Sequence, residues 1–99
     1  MWSSIDVIPE NLGIELHDGR MKVLITKNTA FPTPEPYSKD FRTPEANLKQ
    51  LEVVVRQGPR EQATQNEYCG VVLLDLPSEL PQDTIVTISL GLDSDGTII

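Results

Sequence analysis

Hydrolysis or group transfer asks for a nucleophile beside a base, or for two carboxylates held across a cleft. This chain spaces its residues for neither. No serine sits in a Gly-x-Ser-x-Gly context, and the single histidine, His17, lies within His17-Asp18-Gly19-Arg20 with no orienting partner in sequence. The one cysteine, Cys69, cannot form an internal disulfide; beside the apolar run Val71-Val72-Leu73-Leu74 it reads as a small packing residue with a reduced thiol. One histidine and one cysteine do not make a structural transition-metal site. Asp93-Ser94-Asp95-Gly96 has the look of a calcium-loop start but lacks a third oxygen ligand before its glycine and a closing glutamate, so it reads as a hairpin turn. Neither glycine pattern that cradles phosphate occurs. The expectation is a non-enzyme with no metal and no cofactor in this chain.

Composition narrows the partners. The 99 residues suit one domain, and with 38% hydrophobic but only 5% aromatic residues its core must be aliphatic. A formal charge of −7 opposes nucleic acid and anionic membrane, whose capture relies on lysine and arginine. No apolar run approaches the roughly 20 residues that cross a bilayer, and Met1-Trp2-Ser3-Ser4 is no signal peptide. The chain reads as soluble and cytoplasmic, its acidic excess a solvated surface.

Any binding residues must be positioned by strands. Leu12 to Leu16 and Met21 to Thr26 flank Asp18-Gly19, whose glycine supplies the positive φ of a hairpin. Leu51, Val53 and Val55 alternate with Glu52, Val54 and Arg56, which predicts a half-buried strand. Gly70 to Leu74 is nearly all apolar and is expected to lie centrally in a sheet. From Ile85 to Leu92, Val86, Ile88, Leu90 and Leu92 share one face. Pro32, Pro34, Pro36 and Pro44 mark residues 32 to 44 as a stiff, extended connection inside one domain. The final run, Thr97-Ile98-Ile99, stops without a polar cap, as though cut; such an edge could pair with a second copy.

Read in order, Leu12-Gly13-Ile14-Glu15, Gly19-x-Met21, Leu24-Ile25-x-Lys27-Asn28-Thr29-x-x-Pro32-Thr33, Phe41, Val53-x-Val55-x-Gln57-Gly58-x-Arg60, Asn66, Gly70, Leu74-Asp75 and Asp93-x-Asp95-Gly96-x-Ile98 resemble the substrate-binding β-domain of the seventy-kilodalton heat-shock chaperones, the DnaK type. The resemblance covers nearly the whole chain. It implies an all-β, two-layer antiparallel β-sandwich spanning residues 6–99, with its final strand or strands and helical lid missing and residues 1–5 a start or linker remnant.

The resemblance also implies a groove, formed by sandwich loops, that captures extended hydrophobic segments of unfolded proteins. The family's apolar pocket positions fall on Ile14, Phe41, Leu51, Val53 and Val86, and its two arching positions on His17 and Pro44, where other residue types are more usual. Leu16 and Leu48 stand where the family commonly has polar peptide contacts, and the stretch from Phe31 to Phe41 is two residues longer than the pattern. ATP control, a J-domain co-chaperone and a nucleotide exchange factor belong to a full-length context. Because an imidazole gains charge between about pH 5 and 8, an arch built on His17 would loosen on apolar peptide in acid; the simpler alternative is an exposed turn histidine without a role. The rival for the whole chain is a sandwich that serves only as a protein-interaction or oligomerisation module. A sugar-binding sandwich fits less well, since Trp2, Tyr37 and Tyr68 are scattered.

Overall fold

The computed structural model describes residues 7–77, 79–93 and 98. Six strands form two antiparallel sheets: β1 (Leu12–Glu15), β2 (Met21–Ile25), β4 (Gln50–Gln57) and β5 (Glu67–Asp75) in the order β2-β1-β4-β5, and β3 (Tyr37–Arg42) paired with β6 (Ile85–Leu90). The only helical turn among the described residues is the 3-10 stretch Ala63–Gln65. The fold is therefore the expected all-β one with two sheets.

The strands follow local chemistry. The β1–β2 hairpin closes through Leu16 N–H to the Arg20 carbonyl at 2.7 Å and Gly19 N–H to the Leu16 carbonyl at 2.9 Å. That is a type I turn followed by a left-handed residue, and Gly19 takes that place at φ +92°. The alternation in β4 holds, with Val53 and Val55 buried and Glu52 exposed. In β6 the predicted face sends Ile88 and Leu90 inward, while Thr87 and Ser89 stay outside. These residues meet Leu12, Ile14, Leu24 and Ile25 in one aliphatic core.

Three expectations are corrected. The segment read as a stiff connection holds β3, which fits between Pro36 and Pro44 because no proline interrupts residues 37–42. Its outer face is tied to β6 by polar rungs: the Ser38 and Ser89 hydroxyls lie 2.6 Å apart, and the Thr87 hydroxyl donates to Asp40 at 2.7 Å. The apolar run in β5 is not central but forms an edge strand, with Val71, Val72 and Leu73 exposed; an apolar run shows hydrophobicity, not which neighbours the topology supplies. Cys69, expected to pack, is exposed on the same strand. The turn read at Asp93 to Gly96 and the edge read at Thr97 to Ile99 lie outside the described residues, apart from Asp93 and Ile98; Ile98 bridges Leu92 in antiparallel fashion.

A buried asparagine locks the end of β4. Asn66 accepts from the Arg60 amide at 3.0 Å and donates to the Arg60 carbonyl at 2.8 Å, so residues 60 and 66 are clasped around the 3-10 turn. Gly58 stands against that side chain at φ +154°, and a Cβ there would collide with the Asn66 amide. The carbonyl of Asn66 also accepts from Arg56, whose guanidinium pairs with Glu15 at 3.2 Å.

Candidate functional site

The β1–β2 loop, the β3–β4 loop and the strands beneath them enclose an open cavity of about 740 Å³. Ile14 and Val53, each 3% exposed, belong both to its floor and to the core. Phe41 and Leu51 are half-buried in its walls, and Leu16, Leu48 and Pro44 add partly exposed apolar surface nearer the loops. His17 lines the cavity as an exposed loop residue. Thus eight of the nine residues singled out by sequence, namely Ile14, Leu16, His17, Phe41, Pro44, Leu48, Leu51 and Val53, share one concavity. Val86 does not line it: it is the register partner of Phe41 on β6 and packs against the core. Ile88, two residues further along the same face, does line it.

Two loops shape the mouth, and each is held by a second loop. Beneath His17, Met21 N–H donates to the Glu61 carbonyl at 2.8 Å and Ala63 N–H to the Gly19 carbonyl at 2.9 Å. Beneath Pro44, Thr43 is 1% exposed and fully committed. Its hydroxyl donates to the Pro81 carbonyl at 3.1 Å and accepts from Thr84 N–H at 3.0 Å. Its own amide donates to the Thr84 carbonyl at 2.9 Å, and its carbonyl accepts from Asp83 N–H at 2.9 Å. Gln82 then donates to the Pro44 carbonyl at 3.2 Å, and Asn47 N–H to the Leu80 carbonyl at 2.8 Å.

Lys22 ties the two sheets together at the cavity. Its ammonium donates to the Asp40 carbonyl at 2.9 Å and lies 5.0 Å from the centroid of the Phe41 ring, a cation–π distance that fixes the ring's face. At the mouth, Asp18 accepts from the Arg20 amide at 3.0 Å and from its guanidinium at 2.9 Å. Chiefly through that amide, its carboxyl is held below the ordinary value of 3.8. Away from the cavity, burial and then the Glu67 carboxylate push the Cys69 thiol up. Among the described residues no group of three or more His, Cys, Asp or Glu is placed to hold a metal ion.

Sequence reasoning did not single out Lys22, Thr43 or Ile88 for the site. Ile88 carried a usable signal, since it continues the alternation that contains Val86. Lys22 and Thr43 carried none, because their partners lie 18 to 41 residues away in sequence.

The family model described as Hsp70 protein matches residues 3–99. The chain belongs to the Hsp70 family. It is 37% identical over 95 residues to the chaperone protein DnaK of Buchnera aphidicola subsp. Schizaphis graminum, covering 95% of this chain and 15% of that protein. It is 38% identical over 98 residues to DnaK of Halobacterium salinarum, with the same coverage of each. The heat shock cognate HSP70 protein of Trypanosoma brucei brucei is 31% identical over 96 residues, covering 95% of this chain and 14% of that one. The chain thus spans about 15% of the length of the curated relatives it matches. Membership in the Hsp70 family supports a chaperone role in general. Among the described residues no helix is long and apolar enough to cross a membrane.

Proposed function

We propose that this chain is the substrate-binding β-domain of an Hsp70 chaperone and that its cavity captures extended hydrophobic segments of unfolded proteins. The observation that carries this reading is the convergence of Ile14, Leu16, Phe41, Pro44, Leu48, Leu51 and Val53 on one open concavity. Its volume of about 740 Å³ falls within the range of small-ligand sites. The floor is aliphatic and the mouth carries backbone from two loops, a combination that suits a strand-like peptide: main-chain hydrogen bonds hold the segment, and one Leu or Ile side chain fills the floor. Burying one such side chain contributes about 1.5–3 kcal/mol, so capture by this chain alone is weak and exchanges fast. In this reading Val86 supports the wall from beside Phe41, its register partner, and does not touch the peptide. An ATP-driven cycle, with J-domain and nucleotide-exchange partners in the cytoplasm, falls to the remainder of a full-length protein.

A fluorescent Leu-rich heptapeptide tests the reading. It should bind, be displaced by unlabelled peptide, and bind more weakly to Leu51→Phe, whose larger ring fills part of the cavity. A folded Leu51→Phe that binds unchanged, or a parent chain that never binds, would remove the assignment.

A further inference from the structure

Lys22 brings a positive charge to the inner side of the cavity. On β2 it stands opposite Ile14 of β1, and residues paired directly across antiparallel strands project from the same face of a sheet. Ile14 is part of the cavity floor, so the lysine stem leaves β2 beside that floor and crosses to the second sheet. There its ammonium meets the Asp40 carbonyl and the Phe41 ring, and the side chain as a whole is half-buried. A lysine turned inward is normally paired with a carboxylate. Among the described residues Lys22 has no ion-pair partner, and the Asp40 carbonyl is the one hydrogen-bond acceptor for an ammonium that carries three donors.

The carboxylates around the same cavity are engaged elsewhere or turned away. Glu15 pairs with Arg56 and Asp18 with Arg20. Asp40 accepts from Thr87 on the outer face of β3, and Glu52 is exposed, alternating with the inward Val53 on β4. The ammonium is also held in advance: carbonyl and ring fix it at two points, which removes much of the side-chain ordering cost that keeps most exposed ion pairs weak. Resting on the reading of the cavity as a peptide groove, we infer that Lys22 is a specificity-determining residue, selecting extended segments in which an Asp or Glu stands two residues from the apolar anchor. In an extended segment that spacing returns the carboxylate to the anchor's own side, and the anchor lies on the floor beside Lys22. The net charge of −7 opposes an acidic ligand at long range, so the contact is read at about 0.15 M salt, where the screening length is about 8 Å.

The test uses the whole chain and two heptapeptides with a central Leu among Ser and Thr, one with Glu and the other with Gln two residues to either side of the Leu. Both are acetylated and amidated, so that side chains supply the only carboxylates. The Glu peptide should bind the parent about five-fold more tightly than the Gln peptide. Lys22→Met keeps an apolar stem against Phe41 but no charge; whatever it does to either affinity alone, it should bring their ratio to one. Lys22→Arg keeps a cation and should retain the preference. A parent that binds the Gln peptide as tightly as the Glu peptide overturns this inference and leaves the peptide groove standing, and that comparison needs no variant. A five-fold ratio that survives in folded Lys22→Met overturns it as well, by placing the preference on another group. Failure of the parent to bind either peptide removes the groove reading and this inference with it.

Discussion

Replacing Thr43 by valine removes one hydroxyl from a buried site and leaves the side-chain shape almost unchanged. Two hydrogen bonds disappear, to the Pro81 carbonyl at 3.1 Å and from Thr84 N–H at 3.0 Å. At about 0.5–1.5 kcal/mol net for each bond, the loss is about 1–3 kcal/mol. The backbone pairs between Thr43 and residues 83 and 84 survive, which argues against a larger cost. For a domain of this size 1 kcal/mol shifts Tm by about 4–8 °C, so Thr43→Val should melt roughly 8–16 °C lower for a 2 kcal/mol loss. Urea unfolding should return the same loss at an unchanged slope. Thr43→Ser keeps the hydroxyl and should recover most of the deficit. Because the same bonds hold residues 80–84 against the loop that carries Pro44, the valine variant should also release heptapeptide faster at a temperature where both proteins are folded. A cost below about 0.5 kcal/mol would refute the reasoning, since a hydroxyl with two partners in a 1% exposed residue would then contribute almost nothing.

Gly58→Ala should destabilise by about 1–3 kcal/mol in urea, because φ +154° and the Asn66 amide both oppose a Cβ. Asn66→Ala should cost a similar amount, since the Arg60 amide and carbonyl lose their side-chain partner. The Asp18 carboxyl should titrate below 3.8 by NMR, and Arg20→Ala should leave much of the depression in place because the Arg20 amide is its leading cause. A depressed carboxyl contributes stability that is present above the unfolded value and lost as pH falls through the folded one; Asp18→Asn should therefore lower stability slightly at neutral pH and flatten part of the acid limb below about pH 4. Cys69 should be alkylated at pH 7 more slowly than a free thiol despite its exposure, and faster in Glu67→Gln.

How much of this was legible in the sequence depends on where each residue's partner lies. The hairpin at Asp18-Gly19 and the alternations of β4 and β6 are local signals, since turn chemistry and a period of two need no distant neighbour. β3 was hidden because four prolines dominate its surroundings, while the pairing that makes residues 37–42 a strand comes from β6, about fifty residues away. β5 failed in the opposite direction. Its composition resembles that of a buried strand, yet burial is conferred by neighbours, and the sheet order leaves one side open.

The same distinction separates the walls of the cavity from its supports. Ile14, Leu51 and Val53 are core-like by periodicity alone, and only the family resemblance set them beside Leu16, His17, Pro44 and Leu48 around one opening. Thr43, Lys22 and the 80–84 segment lack any such signature, because a buried hydroxyl or a cross-sheet ammonium is informative only once its acceptors are in place. The consequence is that wall substitutions such as Leu51→Phe should act on what the cavity admits, whereas Thr43→Val should act on how long it holds it. An equilibrium affinity alone would merge the two effects. Measuring association and dissociation rates separates them, with Leu51→Phe lowering affinity at unchanged stability and Thr43→Val lowering stability and residence time together.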